Sequence, residues 1–401
     1  MIGKFREAYN QNFTQESYQS YLQALAAHYP NQLDFRVAET PIFVPGDFIQ
    51  KMEETCEAII DVIQTPGYKE ESNRAIPEQL KVPNEDGHPH FIAFDFGLCT
   101  NEHGELEPQL IEMQGFPSMF AWQVIQPETH QRIFDWPEGF TFFLNGQDRA
   151  SYIRLLKEII IGDSSPENVI LLEIFPEQQK TRVDFAATEE LICIQTVCLT
   201  KLIKEGREVF YEKDGKKIKI ERIYNRLIFD DLSQQTPEIQ EKGKILFEDL
   251  DVKWVPHPNW FYRLSKFTLP FIKHRFVPPT QFLNEVHPLP IDLENYVVKP
   301  LFSFAGQGVI IDVTKEEIEK IKDPENWILQ KKVQYADIIE TPEGPAKAEI
   351  RLFYFWTENA ERPLAVNNLA RLSKGKMIGV RYNKDKSWVG GSFCLFEPAK
   401  S

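Results

Sequence analysis

Apolar residues recur at steps of three and four over residues 15–64, which is the spacing of one face of an α-helix. The stretches SYQSYLQALAAHY and GDFIQKMEETCEAIIDVI both show this spacing. The pattern therefore predicts helices in the first part of the chain.

From residue 91 the pattern changes to short runs of strand-forming residues. The runs FIAFDFGL at 91–98 and QLIEMQ at 109–114 are separated by the polar segment TNEHGELEP. Two such runs around a polar turn predict a β-hairpin. The turn GFPS then leads into a helix that is predicted to begin near Ser118.

Residues 151–255 alternate between helical and strand patterns. SYIRLLKEIII predicts a helix, followed by a strand at 168–174, a helix at 188–204 that ends before Gly206, and strands at 207–211 and 217–224. Such alternation favours a partly parallel sheet flanked by helices. Cys193 and Cys198 fall in the predicted helix, where we expect them in the core. Residues 256–290 are rich in proline and predict a connector around a helix at 264–273.

Strands dominate from residue 296 onwards. They are predicted at 296–299, 309–313, 327–333, 347–356, 364–371 and 377–382, with a short helix at 315–322. The first two flank a loop of small residues in YVVKPLFSFAGQGVIIDV. Such a loop lets backbone N–H groups approach an anion closely, and Lys299 at the strand end adds a positive charge. The alternative is a hairpin with a glycine loop and a surface lysine, because short glycine motifs often occur without a nucleotide site. The loop matches neither of two known phosphate-binding patterns, since GxxxxGK[ST] and GxGxxG do not occur in the chain.

Composition narrows the class of protein. The chain has 401 residues, enough for two or three domains, and a formal net charge of −15, which argues against extended nucleic-acid binding. Five cysteines without a CxxC pair favour a reducing, cytoplasmic location over a disulfide framework or a zinc site. No signal-peptide pattern or membrane-length apolar run occurs, so we expect no membrane partner.

Taken in order, several segments resemble the ATP-grasp superfamily, and in particular its circularly permuted branch typified by glutathionylspermidine synthetase. Lys299 and the glycine loop match the family's KP…GxG segment, NWILQKKVQ its adenine strand, and RLSKFTLPFI its earlier lysine, Lys266. The hairpin IAFDFGLCTNEHGELEPQLIEMQ matches the permuted branch's FD…ExN pattern, with Asp95 and Glu112 in place and Gln114 where asparagine is usual. Ala93 replaces the family's arginine.

The resemblance implies an α+β, ATP-grasp-like fold with antiparallel-rich sheets. Its parts would be residues 1–150 (helices plus the hairpin), 151–290 (an α/β domain like the preATP-grasp domain) and 291–401 (the ATP-binding lobe). It implies ATP and Mg²⁺ as cofactors, with metal ligands from the hairpin and phosphate contacts from the lobe. The implied metal ligands are Asp95, Glu112 and Gln114; the implied nucleotide contacts are Lys266, Lys299, Ser303, Ala305, Gly306, Gln307, Gly308, Gln330 and Lys331; and Arg351 and Arg371 would contact the γ-phosphate or an acyl phosphate.

The activity implied is that of an ATP-dependent ligase that joins a small-molecule carboxylate to an amine through an acyl phosphate. The amine would be an amino acid, a peptide or a polyamine. Arg226 and the GFPSMF loop at 115–120 are weaker candidates for substrate contacts. Two alternatives stay open: a nucleotide-binding module without ligase activity, and an ATP-dependent small-molecule kinase. Ala93 and Gln114, which depart from the family's pattern, favour the first alternative.

Overall fold

The structure is a computed structural model that describes residues 1–302, 308–375, 378, 383 and 385–398. Its α-helices in chain order are α1 (Gly3–Asn12), α2 (Gln15–His28), α3 (Gly46–Gln64), α4 (Tyr68–Glu71), α5 (Trp122–Gln131), α6 (Arg149–Ile160), α7 (Arg182–Ile192), α8 (Phe229–Ser233), α9 (Pro237–Gly243), α10 (Asn259–Arg263) and α11 (Lys315–Glu319). Short 3₁₀ turns connect several of them, including one at Lys266–Phe271.

The strands in chain order are β1 (Ile42–Val44), β2 (Phe91–Thr100), β3 (Leu106–Gln114), β4 (Val169–Glu173), β5 (Gln195–Cys198), β6 (Ile203–Glu205), β7 (Glu208–Lys213), β8 (Lys216–Ile220), β9 (Arg222–Asn225), β10 (Lys253–Val255), β11 (Thr280–Phe282), β12 (Tyr296–Pro300), β13 (Trp327–Lys331), β14 (Lys347–Phe355), β15 (Leu364–Ser373), β16 (Gly390–Ser392) and β17 (Cys394–Phe396). Within the described residues they form three antiparallel sheets and two parallel ones, β1-β17 and β10-β9-β4-β5, so the fold is a mixed α+β type.

The central antiparallel sheet has the order β16-β15-β14-β2-β3 and contains the hairpin expected at 91–114. Cross-strand partners lie on one face of a sheet, so its two faces can be read from the register. One face carries Phe94, Phe96, Ile350 and Leu352, which are buried in a cluster with residues of the amphipathic helix α3. The opposite face carries the charged side chains of the candidate site, so burial of the apolar face fixes which way those charges point.

A small sheet with the order β11-β13-β12 lies against this charged face. The predicted strands at 296–299 and 327–333 are confirmed as β12 and β13, which pair antiparallel. The strand predicted at 309–313 is reduced to a single bridge between Val298 and Ile310. The strand predicted at 377–382 falls largely outside the described residues.

The α/β unit is confirmed as a parallel sheet with the order β10-β9-β4-β5, but one predicted helix is wrong. Helix α7 ends at Ile192 and Cys193 follows with a positive φ of 64°. The rest of the segment predicted as helix at 188–204 holds β5, a 3₁₀ turn at Leu199–Lys201 and the start of β6. Cys193 is exposed and Cys198 half-buried at the end of β5, so neither is the core residue expected. The predicted helix at 264–273 is the 3₁₀ turn, with α10 before it.

Within the described residues, no helix combines the length and the hydropathy of a membrane span.

Candidate functional site

The charged face of the central sheet holds an ion-pair network that spans four strands. Asp95 on β2 pairs in register with Glu112 on β3 and with Arg351 on β14. Its carboxylate accepts hydrogen bonds from the Nε and Nη2 of Arg351, the latter at 2.6 Å, and from the Nη2 of Arg371 at 2.6 Å. Asp95 is 1% exposed. Although burial raises its pKa, the two guanidinium groups outweigh that effect and hold the pKa below its ordinary range.

The network also includes Glu349 and Tyr335, which were not predicted as site residues from the sequence. Glu349, two positions before Arg351 on the same face of β14, forms an ion pair with the Arg371 Nη2 at 3.0 Å and accepts a hydrogen bond from the Tyr335 hydroxyl. Burial raises the pKa of Glu349, although Arg371 opposes the shift. The two-residue spacing from Arg351 is a signal that would have predicted Glu349 on this face. Tyr335 comes from a different segment, and no local pattern points to it.

Gly97 shows how closely Tyr335 packs on the hairpin. A Cβ at position 97 would lie 2.9 Å from the Tyr335 Cε1, which is closer than real Cβ atoms approach. Glycine at this position therefore lets the tyrosine ring lie over β2 and reach Glu349.

Lys299, on β12 of the small sheet, lies at the edge of this network. Its Nζ donates to the Gln330 Oε1 at 2.6 Å and lies 3.4 Å from the carbonyl oxygen of Ile111. Ile111 is the extra residue of a β-bulge in β3, next to Glu112. Burial lowers the pKa of Lys299 to about 8; the carboxylate of Glu112 opposes this shift, and nearby Lys266 adds to it. The late lysine and the early hairpin thus meet in space.

Lys266 completes the group of cations. It lies in the 3₁₀ turn at Lys266–Phe271 and is 7% exposed. Burial lowers its pKa, and Glu112 raises it in part. Glu112 itself has a side chain that is 37% exposed, with one carboxylate oxygen 3.9 Å from the Arg351 Nη2. Four cationic and three acidic side chains therefore gather here, and this arrangement favours an anionic ligand.

Four further residues that were predicted as metal or nucleotide contacts lie in the described part of the chain: Gln114, Gln330, Lys331 and Gly308. Gln114 is half-buried and donates to the Phe116 carbonyl at 3.4 Å, while Gln330 also donates to the Thr280 hydroxyl at 3.0 Å. Lys331 is exposed. Gly308 has a φ of 74°, which suits a glycine. Ser303, Ala305, Gly306 and Gln307 lie outside the described residues.

The GFPS turn joins the site to α10. A Cβ at Gly115 would lie 2.6 Å from the Trp260 carbonyl oxygen, so the chain passes too close here for any side chain. Ser118, three residues later, accepts from the Arg351 Nη1 at 3.2 Å. The helix predicted to begin near Ser118 begins at Trp122 instead, where Asp184 accepts from the Ala121 and Trp122 amides.

A cavity of about 470 Å³ lies beside the small sheet. It is bounded by Arg74, Phe302 and Trp327 among others, but not by Lys299 or the arginines. Because it holds none of the clustered cations, we place the candidate site at the charge cluster and not in this cavity.

The depressed pKa of Lys299 predicts a pH dependence of stability. Its ordinary pKa of about 10.4 applies in the unfolded chain, so between pH 8 and 10 the unfolded state binds more protons than the folded state. The free energy of unfolding of the wild type, relative to that of Lys299→Met, should therefore rise from pH 8 to pH 10. Urea unfolding without nucleotide or metal measures this difference, and the comparison cancels the other groups that titrate in this range. If the difference in free energy of unfolding stays constant or falls between pH 8 and pH 10, the lowered pKa of the buried Lys299 ammonium is contradicted.

Comparison with known proteins adds information about the fold only. No protein-family model matches the chain, and no curated protein matches it. Among solved structures, the chain is similar to a glutathione synthetase-like effector from Globodera pallida in its apo form, with a TM-score of 0.57 over 97% of this chain and 98% of that chain. The two sequences are 10% identical, so the similarity concerns the fold alone. The protein thus has a mixed α+β fold, with several antiparallel sheets, of the glutathione synthetase-like type.

Proposed function

We propose that this protein is an ATP-dependent carboxylate–amine ligase of the permuted ATP-grasp type, acting through an acyl phosphate with Mg²⁺. The observation that carries the proposal is the meeting of Lys299 with the hairpin at Ile111, beside Glu112. A phosphate-binding lysine and a carboxylate that can hold metal must face each other in such an enzyme, because the triphosphate and its Mg²⁺ lie between them.

The hairpin fits a magnesium ion in part. Glu112 and Gln114 lie two residues apart on β3 and so face the same side, and Mg²⁺ is commonly held by one or two protein oxygens together with phosphates and water. Asp95 fits less well, because both of its oxygens already accept from Arg351 and Arg371. Its metal role would require the arginines to release it and stays a prediction. When bound, the ion would neutralise charge on the transferred phosphoryl group.

The cationic residues account for the rest of the chemistry. Lys299 and Lys266 would hold phosphate oxygens. Lys266 is 7% exposed and Lys299 is half-buried, and a positive charge that is partly withdrawn from water acts more strongly than one in bulk water. Arg351 and Arg371 would orient the substrate carboxylate and the acyl phosphate formed from it. The amine would then attack the acyl carbon and release phosphate, so no covalent protein intermediate is needed.

A nucleotide-binding module without ligase activity is the second candidate. It is favoured by the pairing of Asp95 with both arginines, since residues already satisfied by one another are not free for substrate. A small-molecule kinase differs from the ligase only in its product. Analysis of the products therefore separates the three functions: a ligase yields ADP, phosphate and an amide, a kinase yields ADP and a phosphoester, and a binder yields none of these.

ADP release with Mg²⁺–ATP, assayed against panels of amino acids, short peptides and diamines, is the test of the proposal. We expect turnover that requires both a carboxylate and an amine, and a Glu112→Gln variant that loses at least about 10-fold in turnover because it removes one charged metal ligand. Glu107→Gln, on the same strand but farther from the charge cluster, is the matched control and should behave as wild type. Turnover that is equal in the Glu112 variant and the wild type would contradict the assigned site.

A further inference from the structure

Tyr335 lies on the segment that joins the small sheet to the central sheet. Its backbone forms a bridge with Cys99 of β2, and the amide of the next residue, Ala336, donates to the Leu98 carbonyl at 2.8 Å. Its ring lies over Gly97 of the same strand. The tyrosine is therefore held on the central hairpin by its backbone and by its ring, and both contacts fix where its hydroxyl lies.

The Tyr335 hydroxyl lies at one of the two carboxylate oxygens of Glu349. It donates to Oε1, and the guanidinium of Arg371 meets the other oxygen, Oε2, at 3.0 Å. Arginine and carboxylate groups frequently pair through two parallel N–H···O bonds, because the guanidinium fork matches the two oxygens. The pair of Glu349 and Arg371 lacks the second of these bonds, since the tyrosine lies at the oxygen that would accept it.

Arg371 consequently keeps an unused donor. Its Nη2 meets both Asp95, at 2.6 Å, and Glu349, whereas its Nε is buried and has no acceptor within the described residues. A buried N–H without an acceptor costs free energy, so Arg371 would gain by turning its Nε toward a second carboxylate oxygen. The Tyr335 hydroxyl opposes that turn. The Arg371 side chain is 37% exposed, so part of the guanidinium is open to a ligand.

We infer that Tyr335 is a positioning residue: by holding one oxygen of Glu349, it prevents a bidentate pair with Arg371 and keeps that arginine available to a phosphoryl oxyanion. The inference rests on the proposed function, in which Arg371 contacts the acyl phosphate, and it assigns a role to a residue outside the implied site. Tyr335 itself does not touch the anion and acts through Glu349.

Calorimetric titration of the full chain with inorganic phosphate tests the inference without any need for turnover. We expect the wild type to bind phosphate and Arg371→Lys, which lacks the guanidinium fork, to bind it about 10-fold more weakly. Tyr335→Phe should also weaken phosphate binding about 10-fold, because Arg371 turns to Glu349 and withdraws from the anion. Phosphate affinity unchanged in Tyr335→Phe would overturn the inference. Affinity unchanged in Arg371→Lys would also overturn it, since the anion would then lie elsewhere.

The unfolding midpoint in urea separates positioning from a loss of stability. Tyr211→Phe is the matched control, because the Tyr211 hydroxyl donates to the Glu167 carbonyl at 2.8 Å and lies in another sheet. It should lower the midpoint and bind phosphate as the wild type does. Tyr335→Phe should lower the midpoint no more than the control, because the lost bond is offset when the Arg371 Nε gains an acceptor. A much lower midpoint in Tyr335→Phe would show that the hydroxyl serves the fold, and would overturn the positioning role.

A second background tests whether Tyr335 acts through Glu349. Glu349→Gln keeps an acceptor for the tyrosine hydroxyl but cannot form a bidentate ion pair with Arg371. Adding Tyr335→Phe to Glu349→Gln should therefore change the phosphate affinity by less than about 2-fold, because the two changes act on one network and are not additive. An effect as large as in the wild-type background would show an independent role for the tyrosine and would overturn the inference.

Titration of the same samples with Mg²⁺–ADP keeps this inference separate from the proposed function. Equal Mg²⁺–ADP binding in the wild type and Tyr335→Phe, with weaker phosphate binding in the variant, would support both. A wild type that binds Mg²⁺–ADP but no phosphate would overturn the positioning role and leave the nucleotide site standing. Phosphate binding that depends on Tyr335, in a protein that binds no Mg²⁺–ADP, would support the positioning role and overturn the ligase proposal.

Discussion

Replacement of Lys299 by methionine is expected to lower the affinity for Mg²⁺–ATP by about 10- to 100-fold. The expectation follows from the loss of a charge-assisted hydrogen bond, which contributes about 1.5–3 kcal/mol. Methionine fills similar space, so the surrounding residues can keep their packing. The affinity is measured by calorimetry, or by the shift in unfolding temperature at a fixed ATP concentration.

The same substitution should leave the fold as stable as before, or more stable, near neutral pH. The ammonium of Lys299 is buried, which is why its pKa is lowered, and an apolar replacement relieves that cost. Binding and stability should thus move in opposite directions. Lys322→Met, at an exposed position on the same lobe, is the control and should change neither quantity by much. ATP affinity unchanged in Lys299→Met would remove the main support for a phosphate site at this strand.

Replacement of Asp95 by alanine is expected to lower the free energy of unfolding by about 3 kcal/mol. Removing one partner of a buried ion pair leaves the other charge uncompensated, which costs about 3–5 kcal/mol. We expect the lower end of that range because the Arg371 side chain is 37% exposed and can recruit water. Glu349 also remains to pair with Arg371. Urea unfolding at pH 7 gives the value.

Asp34→Ala provides the matched comparison. Asp34 pairs with Arg182 at 2.9 Å, but its side chain is 52% exposed, and such surface pairs contribute about 0–1 kcal/mol. If Asp95→Ala costs no more than Asp34→Ala, the network around Asp95 does not hold the central sheet together as described.

The hairpin and the lysine strand could be predicted because both depend on local pattern. The two-residue period of a strand places Phe94 and Phe96 of FIAFDFGL on one face and Asp95 on the other, and both faces are buried in the structure. Lys299 ends a run of β-branched residues before a glycine loop, which is also a local signal. The similarity to a glutathione synthetase-like structure agrees with the coarse fold class, whereas the permuted arrangement and the roles of the site residues remain predictions.

The helix predicted at 188–204 was wrong because apolar spacing cannot distinguish a helix from a helix followed by short strands. The segment LICIQTVCLTKLI suits either conformation, and its β-branched residues favour the strand that pairs with β4. The pairing of β5 with β4, which is a tertiary contact, therefore determines that this segment forms a strand.

The partners of Asp95 could not be predicted from the sequence, for a related reason. Arg351 and Arg371 could be named as candidates, but their pairing with Asp95 depends on β14 lying between β2 and β15. Such a strand order depends on the packing of the whole chain and cannot be predicted from the local sequence pattern. The same holds for Tyr335, which reaches Glu349 over the surface left open by Gly97.

The pairing of β2 with β14 also has a consequence for synthesis of the protein. Asp95 and Arg351 are 256 positions apart, and β1 pairs with β17 at the far end of the chain. A ribosome-bound chain cannot complete the central sheet until β14 and β15 have emerged, so the hairpin must wait with one edge unpaired. Folding should accordingly be slow compared with that of proteins built from local contacts, and shortened chains that end before β14 should aggregate.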